Sequence, residues 1–551
     1  MPSYNGDSMA ERPETIIDFG AFQQPLSPLF RDYLGGGGAV ARFFGGGGFD
    51  LAATRAAAER TSLYDRPRAA VADALVRQQQ GRQAARAAEA AARLGDPKTV
   101  AIVTGQQAGL FGGPLFVLWK ALGAIKAARA LETLRGAPVV PVFWVATDDH
   151  DFAEIRSASL LDEQGAIRTL RYSPVQEPQG RPASRIVLDD TVTALVEEAR
   201  AAARPGLHKD GVLDLLATCY RPGESLGAAF ARFVSALLPD LVVLDPADPA
   251  LKALMVPLLT REIREGSVTS RLAMEAGERL LAAGYHQQVP VRPGFLNLFV
   301  VMEGERRALG MRNGTVEVRG LGRLLSMDEA VRLLEATPAD WSPGALFRPV
   351  VQDALLPTAA YVAGPAEIAY HAQIVPSYAH FGVPRPVLLP RPSVTLVEPA
   401  QARALEAEGL RLPDLQGDPE AVVARWAKEA YPEVEAAFAH ARETVEQELR
   451  RVEDALSAID PTLRGAADAA RGRALHPLAA LHEKSLRALK KRDQGRADRL
   501  RRTRDALFPG GAFQERGLSF IGPLARHGLP LLQDALERLD PWARGHQVIS
   551  L

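Results

Sequence analysis

The sequence predicts an α/β fold built on an open parallel sheet, joined to an α-helical coiled coil. Three observations carry this. The stretch Thr99–Asp151 reads as an apolar strand, a Gly/Gln-rich loop, a helical period and a second apolar strand ending in polar, mostly acidic residues. Residues 356–398 repeat the grammar: strand, Gly-Pro loop, helix, strand. Residues 419–507 change register, and Val445, Leu449, Val452, Leu456 and Ile459 step by four and three, the spacing of a coiled-coil seam. In open parallel sheets ligands bind outside the carboxyl ends of the strands. The polar residues that follow each apolar run are therefore the candidates for a site.

Length and composition bound the rest. At 551 residues the chain has room for several domains. A net charge of −1 supplies no global attraction to nucleic acid or to an anionic membrane. The single cysteine, Cys219, excludes an internal disulfide framework and a Cys-rich zinc site, and a reducing compartment is the simple reading. It reads as a small buried residue. The first residues carry no basic segment followed by an apolar one, and no apolar run approaches a membrane span. A soluble, cytoplasmic protein is expected.

In chain order, the glycine runs Gly35–Gly38 and Gly45–Gly48 lack a following Gly-Lys-Ser/Thr and read as flexible loop. Residues 51–94 are Ala/Arg/Glu-rich and helical in character. Residues 153–235 read as an inserted α/β segment with turns at Arg171–Pro174 and Pro178–Pro182. Residues 241–246 (LVVLDP) form a short buried strand, 249–283 are helical, and 287–309 are extended around a turn at Glu303–Gly304. A second insertion is expected near 265–345. The domain reading is a core at 1–398, a helical coiled coil at 399–508, and a segment at 509–551 that packs back on the core. In the coiled coil, Pro461 interrupts the seam, which resumes at Leu475, Leu478, Leu486, Leu489 and Leu500. This predicts an antiparallel hairpin, with a single kinked helix as the alternative.

The loop Thr104–Pro114 contains the first candidate residues. Gly112 and Gly113 permit close backbone approach, and Pro114 suits the first turn of a helix. Free N–H groups at that helix start favour an anion such as phosphate. Thr104, Gln106 and Gln107 beside Gly105 add groups that orient a nucleotide or sugar. Lys120, two turns on, either reaches a phosphate or is solvated. Leu115, Leu118, Leu122 and Ile125 give the helix its buried face.

After the second strand comes Asp148-Asp149-His150-Asp151. In extended chain Asp148 and His150 face one way, Asp149 and Asp151 the other, so the run is not one four-ligand metal site. Two of the four suffice for Mg²⁺ held through water. His150 suits a general base near neutral pH. Asp151 also fits an N-cap three residues before Glu154. In the second loop, Gly364 opens a helix on which Glu367, Tyr370 and His371 share a face, either as a site or as a surface pair. Arg391 and Ser393 lie just past a strand, where a loop can close on phosphates. The second coiled-coil arm is basic from Lys484 to Arg504, which suits either nucleic acid or pairing with the acidic first arm (Glu435, Glu443, Glu446, Glu448, Glu453). Pairing is the favoured reading, because the arms balance.

With these segments on the page, the chain resembles the cysteine-adding ligase family of bacillithiol biosynthesis. The resemblance rests on TGQQAGLFGGPLFVLWK, PVFWVATDDHDFAEI, GYHQQV with LNLF, YVAGPAEIAYHAQI, LPRPSVTLVE and FQERGLSFIGPLARHG, in that order from about residue 99 onwards. It implies a Rossmann-like core like that of class I nucleotidyltransferases, interrupted by connecting-peptide insertions, and a coiled coil that makes a homodimer. The implied reaction joins the carboxyl of L-cysteine to the amine of glucosaminyl-malate, with ATP and Mg²⁺ expected. Asp149, His150 or Glu367 would be the base, with His371 beside Glu367. The chain departs from the wider nucleotidyltransferase pattern: the first loop has no His-x-Gly-His, and Arg391-Pro-Ser-Val-Thr has no lysine pair.

Overall fold

The computed structural model describes residues 15–45, 48–492 and 494–551. Gly46 and Gly47 of the second glycine run, the stretch through Glu14, and the side chains of Leu489, Lys490 and Arg492 lie outside the described residues. The chain forms two compact units. One holds the chain up to Val397 together with Phe513–Leu551; the other is Glu398–Ala512.

The first unit is built on a five-stranded sheet: β1 (Val100–Gln106), β2 (Val139–Val145), β3 (Val242–Leu244), β4 (Thr358–Ala363) and β5 (Val387–Pro390). All neighbours are parallel and the order is β5-β4-β1-β2-β3. Strands β2, β3 and β4 are buried throughout and β1 is buried except at Gln106. That is why they read as continuous apolar runs: both faces are covered. The chain steps outward from β1 to β3, then returns to the other side of β1 as β4. This reversal is the switch point of a Rossmann-like sheet.

Four helices place the site. α1 (Leu115–Arg135) joins β1 to β2, α2 (Pro249–Arg264) follows β3, α3 (Arg348–Leu355) precedes β4, and α4 (Pro365–Phe381) joins β4 to β5. α1 is buried on nearly every side, not only along Leu115, Leu118, Leu122 and Ile125. It lies against the sheet on one side and against the C-terminal helices Gln514–Gly517 and Pro530–Arg538 on the other. The C-terminal segment also adds the strand His546–Ser550, parallel to Ser393–Val397.

The stretch between β2 and β3 carries the hairpin Ser157–Leu161/Ile167–Arg171 and three longer helices, Thr191–Ala202, Lys209–Cys219 and Leu226–Leu237. The stretch between β3 and β4 carries an antiparallel sheet whose central hairpin, Phe295–Met302/Glu305–Arg312, turns at Glu303 and Gly304. Both turn residues have positive φ (54° and 80°), the conformation that matches a tight hairpin to strand twist. The first glycine run is not simply loop: Gly36, at φ 69°, terminates the helix Pro28–Gly35.

In the second unit, helices Pro432–Ile459 and Arg464–Arg492 meet at a turn over Pro461–Leu463. Glu453 binds Arg471 at 2.8 Å and Glu435 binds His482 at 2.7 Å, so the two sequences run in opposite directions. This is the hairpin, not a kinked single helix. Arg471 and His482 precede the basic stretch that begins at Lys484; within that stretch Arg496 and Arg501 bind Glu408 and Glu420, which lie before the acidic first arm, so these cations do not make the expected arm-to-arm pairs. The seam is only half-buried within the hairpin, and Ile459 is 78% exposed.

Candidate active-site crevice

The carboxyl ends of β1, β2 and β4 bring most of the sequence-predicted residues together, but the roles divide differently from the expectation. The Thr104–Pro114 loop is closed by protein. Thr104 is buried and its hydroxyl donates to the Val362 carbonyl at 2.9 Å, tying β1 to β4. A Cβ on Gly105 would sit 2.7 Å from the Trp144 carbonyl oxygen, so glycine lets β1 and β2 approach there. Gly112 donates its N–H to the Tyr220 hydroxyl at 3.0 Å, and a Cβ on it would lie 2.1 Å from the Phe520 ring. Pro114 is the residue before the helix rather than its first residue, and Leu115 N–H donates to the Leu518 carbonyl at 2.8 Å. Gly112 and Pro114 pack against the C-terminal segment and Gly113 (φ 81°) against Val117, so protein covers this helix start, where the sequence reading placed a phosphate. Sequence distance hid the cause, because residues 518–520 lie some four hundred positions away.

Lys120 is not solvated. It is 1% exposed, and its ammonium donates to the Gly105 carbonyl (2.7 Å), to Gln106 Oε1 (3.0 Å) and to Glu367. Glu367 also accepts from Tyr361 Oη at 2.8 Å and from its own helix end, Gly364 N–H, at 2.7 Å. The pair lies where the strand order reverses. Burial pushes the Glu367 carboxyl up, but Lys120, Gly364 and Tyr361 outweigh it and hold the carboxyl below its ordinary range. Burial lowers the Lys120 ammonium, with Glu367 opposing. Glu367 thus pairs with Lys120 inside the fold and not with His371 on a surface, and the Gly364 helix start carries a carboxylate where an anion would bind. Tyr370 sits beside it, its hydroxyl accepting from Arg348 at 3.1 Å. His371 is buried between the Tyr361 and Tyr370 rings, and burial with Arg348 pushes its imidazole well below the usual range. It is a neutral core histidine and does not share a solvent-facing surface with Glu367.

Arg391 and Ser393 are likewise internal. Arg391 binds Glu515 at 2.6 Å with both side chains almost fully buried, and Ser393 Oγ contacts Glu515 (3.1 Å) and His546 Nδ1 (2.9 Å). They join β5 and its extension to the C-terminal segment, their polar atoms engaged by Glu515 and His546 within the protein.

The acidic run carries the open part of the site. β2 ends at Val145, and Asp149 N–H turns back to the Ala146 carbonyl, so the alternation of an extended strand does not apply. Asp148 takes both oxygens to Lys252 Nζ at 2.7 Å. Lys252, on α2, is 2% exposed and also donates to the Trp341 carbonyl at 2.8 Å. Asp149 accepts from Gln107 Nε2 at 2.6 Å and from His150 N–H at 2.8 Å. His150 Nδ1 meets Arg306 Nη1 at 3.3 Å, and Asp149 lies 3.9 Å from the same guanidinium. Asp151 caps the short helix Phe152–Ile155, accepting from Glu154 N–H. Asp151 is exposed at the helix cap, and Asp149 and His150 are partly open, at 37% and 39% of their side chains. Beside them a cavity of about 180 Å³ is lined by Asp148, Ser184, Arg185, Arg306, Asp340 and Ser342 among others.

Arg306 and Lys252 escaped the sequence reading. Arg306 lies on the hairpin strand opposite the LNLF motif, and Lys252 on α2 in a segment that carries none. The one available signal was three acids together after a strand, which require cations from elsewhere in the fold.

The comparisons with known proteins fall on this frame. Residues 17–392 match the family model described as bacillithiol biosynthesis BshC, N-terminal Rossmann-like domain, and residues 394–551 match the BshC C-terminal coiled-coil domain. The chain belongs to the BshC family. A BshC relative from Salinibacter ruber is 33% identical over 556 residues, covering all of both chains. Relatives from Koribacter versatilis (34% identical, 82% of this chain and 84% of the relative) and Solibacter usitatus (33%, 84% and 86%) carry the same name, "Putative cysteine ligase BshC". The Rossmann-like core and the helical hairpin are the two domains of this BshC chain.

Proposed function

We propose that this BshC chain is the cysteine ligase of bacillithiol biosynthesis, joining the carboxyl of L-cysteine to the amine of glucosaminyl-malate with ATP as the activating substrate. One observation carries the placement of the reaction: Asp149 and His150, both partly open, stand at the carboxyl end of β2 over the buried cations Arg306 and Lys252. A carboxylate is a poor electrophile, so phosphoryl or adenylyl activation precedes attack. The sugar ammonium must first lose a proton. Of the three candidate bases, Glu367 accepts three donors, including Lys120, and is held ionised, which weakens it as a base. Asp149 keeps solvent access and is the acceptor we assign. The polar cavity beside Arg306 and Ser342 supplies donors for the polar groups of the substrate. Among the described residues no group of three or more His, Cys, Asp or Glu is arranged to hold a metal. Mg²⁺ therefore fits as an ion carried on the nucleotide phosphates. A homodimer through the helical hairpin is part of the proposal, supported by the half-buried seam with Ile459 and Val452 exposed. No helix among the described residues is long and apolar enough to cross a membrane.

The test is direct. Folded protein incubated with ATP, Mg²⁺, cysteine and glucosaminyl-malate should yield the thiol product by mass spectrometry. Asp149→Asn should lower turnover at least ~100-fold, the ordinary scale of a general base. Absence of product from folded wild type would overturn the proposal.

A further inference from the structure

We propose that Arg306 is a positioning residue that fixes His150 as the neutral Nε2–H tautomer, so that His150 acts as a hydrogen-bond donor and not as a proton acceptor. Its use in catalysis rests on the ligase reading above; the tautomer itself does not.

The argument begins with what a guanidinium can do. Its five N–H groups only donate. Arg306 Nη1 lies 3.3 Å from His150 Nδ1, so Nδ1 must present its lone pair. A neutral imidazole carries one N–H, which then sits on Nε2. Taking up a second proton would require Nδ1 to release Arg306 and would set two cations against each other.

Arg306 cannot swing aside to permit this. Its Nε donates to Ser342 Oγ at 3.1 Å, its Nη2 faces the Pro343 carbonyl at 3.4 Å, and its guanidinium lies 3.6 Å from the centre of the Phe299 ring. Its side chain is 8% exposed. Asp149 and Asp151 oppose the effect, because both carboxylates favour an imidazolium, and Asp149 Oδ1 is 3.7 Å from Nδ1. Burial and Arg306 prevail, and the imidazole is held below its ordinary range.

The consequence is a division of labour on adjacent residues. Asp149 accepts the proton of the attacking amine. His150, with no protein partner at Nε2 among the described residues, offers a fixed N–H dipole to an oxygen that gains charge as the acyl carbon becomes tetrahedral. A donor that stays neutral pays no penalty beside Arg306 and needs no proton transfer of its own.

Selective ¹⁵N labelling of histidine, with two-bond ¹H–¹⁵N correlation and a His150→Gln spectrum for assignment, reads the tautomer in the full-length protein without turnover. The expected pattern is a protonated Nε2 and a bare Nδ1 at pH 7, unchanged through the range near pH 6.5 where ordinary histidines titrate. In Arg306→Met the same imidazole should titrate in that ordinary range, and Arg306→Lys, which keeps a cationic N–H donor, should restore part of the wild-type pattern. An Nδ1–H tautomer or an imidazolium in the wild type at pH 7 overturns the proposal, whether or not the variants fold. Turnover then separates the two readings. His150→Gln keeps an amide N–H near Nε2 and His150→Asn places one near Nδ1, so Gln should exceed Asn at least tenfold. Equal rates, or Asn ahead, overturn the donor role. A wild type with the Nε2–H tautomer and no product overturns the ligase reading and leaves the tautomer assignment standing.

Discussion

Lys120 and Glu367 give the sharpest energetic prediction. All three ammonium hydrogens of Lys120 have acceptors, and both Glu367 oxygens have donors. Lys120 Nζ has no access to water that would replace a lost partner, since the side chain is 2% exposed. Removing one member of such a pair leaves an uncompensated buried charge, at about 3–5 kcal/mol. Glu367→Gln should reach that range, because Lys120 stays charged and keeps only neutral acceptors. Lys120→Met should lie at its lower edge, since Glu367 retains Gly364 and Tyr361 and can take a proton. The double variant removes both charges and should cost about 1–2 kcal/mol, far below the sum. Equilibrium guanidinium unfolding followed by tryptophan fluorescence reads this, because Trp119 and Trp144 are buried in the same unit. The sign with pH follows from the direction of the Glu367 shift: its folded pKa is depressed, so its contribution is full above the ordinary carboxylate range and is lost as pH falls through the folded value. Lys120→Met should move that acid loss to higher pH. Single variants within ~1 kcal/mol of wild type, or costs that add in the double variant, would refute the pairing argument.

Three further outcomes follow from the same structure. Gly112→Ala combines φ +89° with a Cβ inside the Phe520 ring and should cost at least ~3 kcal/mol, whereas Gly136→Ala, also at positive φ but in open space, should cost about 1–2 kcal/mol; thermal melts of the two variants compare them. His546 is buried among Ser393, Thr395 and Glu515 and burial pushes it down to about 4, below its unfolded value near 6.5. The fold therefore loses up to about 3 kcal/mol as pH falls from 6.5 towards 4, and His546→Gln should flatten that slope in denaturant midpoints measured across it. Cys219 is buried and its thiol is pushed up to about 11, so a thiol reagent should leave the native protein unlabelled at pH 8 and label it stoichiometrically in denaturant; rapid native labelling would contradict its burial.

The legible part of the fold was the part encoded locally. Continuous apolar runs marked β1, β2 and β4, and the four-and-three spacing marked the helical hairpin, because both patterns are set by near neighbours. The site was legible only by position. Asp148–Asp151 and Gln107 could be placed at strand ends, but Lys120 reads in sequence as an ordinary helix cation. Its burial depends on Glu367, which the sheet order brings beside it, and strand order is not a local property. Arg306 reaches His150 from a hairpin more than 150 positions away, with no pattern of its own to announce it.

The two loop-to-helix starts show why the chemistry gathers at β2. A helix start attracts an anion only while its first N–H groups are free and no carboxylate stands on them. At α1, Leu518 takes the Leu115 N–H and Phe520 covers Gly112. At α4, Glu367 occupies the N-terminal end itself and is held ionised by Lys120. An entering phosphate would meet a packed ring at the first and a negative charge at the second. The remaining strand end combines the partly open Asp149 and His150 with two buried cations and an adjoining polar cavity. A sheet with Rossmann-like order thus has both of its obvious anion seats filled by its own side chains. On the proposed ligase reading, substrate charge at this crevice is met by side chains at the end of β2, with Arg306 and His150 at the centre of the electrostatics we propose rather than at their edge.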